Sequence, residues 1–149
     1  MSLLIKNIAD TEKARIIKDL YVFKIFVVLN PDGVVIGNSR VGIEGVDLNR
    51  VWNKPDPQMH PIIFQTCQAI KSIREKRKIL MFCDLHSHST KCNSFMYGCP
   101  PTINSFSSWS QTHLIPRMLA KLAPTFSYKD STYIIDQTKV SSILPFNSQ

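Results

Sequence analysis

The chain has 149 residues, 44% of them hydrophobic and 19% charged, with 18 Lys and Arg against 11 Asp and Glu. This length suits one globular domain or part of one and excludes two ordinary domains. The apolar content excludes a chain that stays disordered for want of burial, and the net charge of +7 biases the surface toward anionic partners without choosing among nucleic acid, acidic protein tails and anionic lipid.

No apolar run approaches the roughly 18 residues that a bilayer crossing needs. Leu3 to Ile5 is too short for the apolar part of a secretory signal, so an intracellular location is expected. Cys67, Cys83, Cys92 and Cys99 form no CxxC pair, and without a signal the default is reduced thiols rather than a disulfide scaffold. Lys71, Arg74, Lys76, Arg77 and Lys78 make the densest basic cluster, which reads as the solvated end of a helix before it reads as a nucleic-acid patch.

In chain order, Thr11 to Asp19 sets Ala14, Ile16 and Ile17 among charges and predicts a helix. It runs into Tyr21-Val22-Phe23-Lys24-Ile25-Phe26-Val27-Val28-Leu29, whose near-continuous apolar character predicts a strand covered on both faces. Asn30-Pro31-Asp32-Gly33 predicts a tight turn closing that strand. Val34 to Arg50 contains Gly37, Gly42 and Gly45 and reads as a shaped loop. From His60-Pro61, the spacing of Ile62, Ile63, Phe64, Cys67, Ile70 and Ile73 predicts a helix with proline in its first turn. Lys78 to Leu85 is a second predicted buried strand, so strand, crossover with helix and strand make a βαβ unit. Asn93 to Tyr97 and Tyr133 to Asp136 are candidate short strands, Ser105 to Ser110 a polar loop around Trp109, and His113 to Lys121 a helix with Pro116 near its start. The fold class is α/β, a mostly parallel mixed sheet flanked by helices. Residues 141–149 lack periodicity and are expected to form a divergent, disordered tail.

Ligands of parallel α/β sheets bind beyond the carboxyl ends of the strands, where two polar constellations fall. Arg40 and the pair Asn49-Arg50 offer donors suited to a planar carboxylate, since a guanidinium makes two parallel charge-assisted bonds. The plainer alternative pairs Asp47 with Arg50 and leaves Asn49 to cap the loop. Asp84, His86 and His88 alternate, so a continuing strand projects all three to one side, as metal ligands or as hydrogen-bonded strand-end groups. Cys83, Cys92 and Cys99 are further candidates for a local metal cluster, though the spacing matches no zinc finger or ribbon.

Taken together, Val22-Phe23-Lys24-Ile25, Leu29-Asn30-Pro31-Asp32-Gly33-Val34, Gly37-Asn38-Ser39-Arg40, Gly45-Val46-Asp47-Leu48-Asn49-Arg50-Val51-Trp52, His60-Pro61, Cys83-Asp84-Leu85-His86-Ser87-His88-Ser89 and Phe95-Met96-Tyr97-Gly98-Cys99 resemble the zinc metallocarboxypeptidases of the carboxypeptidase A-like superfamily, in their cytosolic carboxypeptidase branch. The resemblance covers about Thr11 to Asp130. It implies a carboxypeptidase-like mixed sheet, a single zinc as cofactor, and hydrolytic removal of residues from protein carboxyl termini in the cytoplasm. Carried over motif by motif, it implies that His86 is a zinc ligand, that Asn49 and Arg50 grip the terminal carboxylate, that Arg40 polarises the scissile carbonyl, and that His88 helps bind substrate. It also implies a His and a Glu ligand in a His-Pro-Gly-Glu type motif, which does not precede Thr11, and a catalytic Glu, whereas no Glu follows Glu75.

The expectation is therefore a partial catalytic domain over 1–140, truncated at both ends and inactive alone, from an enzyme that trims acidic, glutamate-rich tails such as those of tubulin. The alternative is a non-catalytic module that binds peptide C-terminal carboxylates. A nucleic-acid partner is not expected, because the aromatic residues fall mainly in predicted core strands, and a membrane partner is not expected either.

Overall fold

The computed structural model describes residues 11–85, 87–99 and 106–133. Four α-helices are present among them: α1 (Glu12–Leu20), α2 (Pro31–Ile36), α3 (Pro61–Lys76) and α4 (Phe106–Leu122), with a 3-10 turn over Leu48–Arg50. None is long and apolar enough to cross a membrane.

Each helix start has a local cause. Thr11 caps α1 by accepting the Ala14 N–H at 3.2 Å, with Glu12 in the first turn and Lys18 in the last, both favourable to the helix dipole. Asn30-Pro31-Asp32-Gly33, expected as a turn, instead opens α2. Asn30 Oδ1 accepts the Gly33 N–H at 3.0 Å and Pro31 fills the first helical position, where its missing N–H costs nothing. The same residue types serve a turn and a helix start, and here the cap prevails. Gly37, at φ +84°, ends the helix in the left-handed region that favours glycine.

Helix α3 matches the sequence expectation, beginning one residue after His60. Its lead-in is held by Asp56, whose carboxylate accepts the Gln58 and Met59 N–H groups at 2.8 Å each. Ile63, Thr66 and Ile70 lie on its buried face. Ile63 and Ile70 meet Trp52 in a small core, against which Leu29, Leu48, Val51, Cys67 and Ile79 pack. Phe82 sets its ring edge-on to Trp52, with centroids 6.2 Å apart. Thr66 is buried but satisfied, donating to the Ile62 carbonyl at 2.8 Å.

Ser105 to Ser110, expected as a loop, belongs to α4 from Phe106 onward, and Pro116 lies inside that helix. Ser110 explains part of the difference, because its hydroxyl bonds back to the Phe106 and Ser107 carbonyls, so a serine-rich stretch is accommodated without leaving the helix.

The sheet differs from expectation. Among the described residues no strand is assigned, and residues 21–29 and 78–85 make no ladder pairing. A near-continuous apolar strand needs partners at both edges and cover on both faces. The described helices bury only the small cluster around Trp52, and both runs remain largely exposed beyond Leu29 and Ile79. Strand-like pairing survives in miniature elsewhere. Ser94 and Tyr97 form parallel bridges with Phe126 and Thr132, through bonds that include Ser94 N–H to Thr125 O at 2.9 Å and Gly98 N–H to Thr132 O at 2.8 Å. Of the candidate strand at Tyr133 to Asp136 only Tyr133 is described, and the tail expected at 141–149 lies outside the described residues.

Candidate functional site

The loop between α2 and the 3-10 turn folds back on itself. Val41 and Asp47 form an antiparallel bridge, and the reversal between them passes through Gly45 at φ +70°, with Gly42 and Val46 bonded at 3.0 Å. Asn38 shapes the entry, since its side-chain oxygen accepts the Arg40 and Val41 N–H groups at 3.0 Å each. Asn30 ties the loop to the start of α2 by donating to the Val41 carbonyl at 3.2 Å.

This reversal gathers Arg40, Asn49 and Arg50. Asp47 stands at the junction. One carboxylate oxygen takes Arg40 Nη2 at 2.9 Å, the other accepts the Asn49 N–H at 2.9 Å, and its backbone carbonyl accepts the Arg50 N–H at 2.9 Å. The ion pair that the plainer alternative gave to Arg50 is thus made by Arg40, because the antiparallel bridge sets Asp47 opposite Val41, next to Arg40. Arg40 keeps 67% of its side-chain surface exposed, against 19% for Asp47. Arg50 is exposed, with Nη1 3.3 Å from the Asn49 carbonyl. Trp52 donates its indole N–H to Asn49 Oδ1 at 3.1 Å, fixing that amide against the core. An exposed guanidinium carries donors suited to a planar carboxylate, and both Arg40 and Arg50 are exposed.

His88 lies in a separate cluster. Its Nδ1 accepts the backbone N–H groups of Thr90 at 3.3 Å and Lys91 at 3.1 Å, which places the neutral ring's proton on Nε2, 3.5 Å from the Tyr97 hydroxyl. Phe95 packs edge-on to the ring, while Lys91 Nζ sits 4.6 Å from the Phe95 centroid and donates to the Asp130 carbonyl at 2.9 Å. Among the described residues, the contacts of His88 stay within residues 88–97 and do not reach the arginine loop. His86, the expected zinc ligand, lies outside the described residues.

The described cysteines are free thiols, and partial burial pushes those of Cys67, Cys83 and Cys99 up, with the Asp84 carboxylate adding to the effect at Cys83. No group of three His, Cys, Asp or Glu among the described residues is placed to hold a metal ion, so these residues by themselves do not make a zinc site; a cluster that includes His86 lies outside the described residues.

Sequence reasoning missed the part played by Asp47 and Trp52. Asp47 two residues before Asn49 is the spacing of an Asx turn, a legible local signal. Its pairing across the loop has no local signal.

A family model described as zinc carboxypeptidase matches residues 1–145. The chain belongs to this family. Relatives within it include cytosolic carboxypeptidase 2 of Macaca fascicularis, 37% identical over 133 residues that cover 89% of this chain and 16% of that protein. Cytosolic carboxypeptidase 3 of Bos taurus is 36% identical over 133 residues, 89% of this chain and 13% of that protein. Cytosolic carboxypeptidase 1 of Mus musculus is 32% identical over 146 residues, 90% of this chain and 12% of that protein. The chain therefore spans less than a fifth of the length of these zinc carboxypeptidase relatives.

Proposed function

We propose that this chain is the carboxylate-gripping part of a cytoplasmic zinc carboxypeptidase that hydrolyses C-terminal residues of proteins, with acidic tails such as those of tubulin as substrates. The observation that carries this is the assembly of Arg40, Asn49 and Arg50 on one loop. Asn49 and Arg50 hold the terminal carboxylate through charge-assisted donors. Arg40 meets the oxygen of the scissile carbonyl, where negative charge develops during reaction. His86 is the zinc ligand on this chain and His88 a substrate contact. Zinc, when bound in the family, activates water for hydrolysis. The +7 charge of the chain agrees with acidic tails, although attraction beyond about 8 Å is screened at physiological salt.

The 149-residue polypeptide by itself is expected to bind and not to cleave, since a catalytic zinc site takes three protein ligands, whereas its sequence contains no His-Pro-Gly-Glu type motif and no Glu after Glu75. The same observation favours a second role, a non-catalytic module that retains the grip. The test is a fluorescence anisotropy titration of the chain with a labelled glutamate-ended hexapeptide and its C-terminally amidated twin, together with a zinc-supplemented cleavage assay. Preference for the free acid without cleavage is expected. Equal binding of the two peptides rejects the grip, and zinc-dependent release of glutamate rejects inactivity of the isolated chain.

A further inference from the structure

We infer that Asp47 is a positioning residue for this site, one carboxylate that holds Arg40 and the Asn49-Arg50 turn in fixed relation; the inference rests on the carboxylate grip proposed above. Three contacts support it. Oδ2 pairs with Arg40 Nη2 at 2.9 Å, Oδ1 accepts the Asn49 N–H at 2.9 Å, and the main-chain carbonyl accepts the Arg50 N–H at 2.9 Å. Its two side-chain oxygens thus serve two different segments, which the Val41–Asp47 bridge brings together.

The ion pair leaves the guanidinium competent. Arginine carries five N–H donors in a planar fork, and the pair with Asp47 runs through Nη2 with most of the side chain still exposed. Asp47 therefore restrains the long Arg40 side chain without using up its donors. An unrestrained arginine loses rotamer freedom when it takes a ligand; a restrained one has already lost it. The lesser exposure of Asp47 makes it the fixed partner and Arg40 the tethered one.

The test is a double-mutant cycle on the full 149-residue chain, read as Kd for the free-acid hexapeptide and its amidated twin. Asp47→Asn keeps an oxygen for the Asn49 N–H and turns an amide N–H2 toward Arg40, so the cap survives and the tether does not. Asp47→Ser does the same with a shorter acceptor. Each should weaken free-acid binding by about two- to fivefold, the range of an exposed ion pair, and each should have no effect in an Arg40→Ala background. A merely structural role predicts the same loss with or without Arg40, and that result overturns the inference while leaving the grip intact, as does unchanged binding by both single variants. If the wild-type chain does not prefer the free acid, both the grip and the role of Asp47 fall.

Discussion

His113 on α4 stacks on Trp109 with centroids 4.4 Å apart, lies 3.9 Å from the Tyr133 ring centroid and shares a 2.7 Å hydrogen bond with the Tyr128 hydroxyl. Desolvation by these neighbours, helped by the Arg117 guanidinium, holds its pKa below the ordinary 6.5. The folded state favours the neutral ring, so the associated stability is complete above the ordinary value and is lost as pH falls through the lowered one. An NMR titration of the His113 ring should give a midpoint under 6.5; a midpoint at or above it contradicts the stacking account. Arg50 makes a second residue-scale prediction. Arg50→Ala should weaken free-acid peptide binding by about 1.5–3 kcal/mol, the worth of a hydrogen bond to a charged group. Arg40→Ala should cost less in binding, because its task is to meet charge that appears during reaction. Isothermal titration of both variants checks the order, and a larger loss for Arg40→Ala reverses the assignment.

Among the elements, α2 starts on a single side chain that serves twice. Asn30 caps it and also anchors the arginine loop at Val41, so Asn30→Ala should lower stability by about 1 kcal/mol for the cap alone and loosen the loop as well. Urea unfolding measures the first effect, and amide exchange at Arg40 and Val41 the second. The helices that sequence reasoning got right are α1, α3 and the 113–121 part of α4; the first two carry strong local signals, Thr11 as a cap and Pro61 in the first turn ahead of an apolar face. Residues 30–33 were ambiguous because an Asn-Pro-Asp-Gly string suits a turn and a helix cap alike. The stretch around Trp109 was misjudged because serine disfavours helix interiors by intrinsic preference, an effect offset by the Ser110 back-bonds and by stacking of Phe106 on Trp109. In the candidate site the residue types Arg40, Asn49 and Arg50 were legible from their motifs. The identity of Asp47's partner was not, since it depends on a pairing across a loop reversal that no short-range spacing encodes.

At the scale of the molecule, a small core contrasts with long apolar surfaces. Val27 is 61% exposed and Leu80 72%, each within a run that reads as a covered strand. Contiguous apolar surface of this kind drives association. Sedimentation of the chain at increasing concentration should show self-association, and Val27→Lys with Leu80→Lys should reduce it while leaving the helical circular dichroism unchanged. A monomer at every concentration would show that these runs are covered in solution. Ile63, at 1% exposure the most deeply buried side chain among the described residues, anchors the cluster around Trp52. Ile63→Ala should cost about 2–5 kcal/mol, a large part of the stability of so lightly packed a structure, and should appear as a lowered Tm in calorimetry.

The indole of Trp52 can only donate, so Asn49 must turn its oxygen inward to meet it. The orientation of a loop amide is thereby dictated from within the hydrocarbon interior. Replacing that indole by a phenyl ring of similar greasiness would take this donor away from the amide oxygen even where the fold endured.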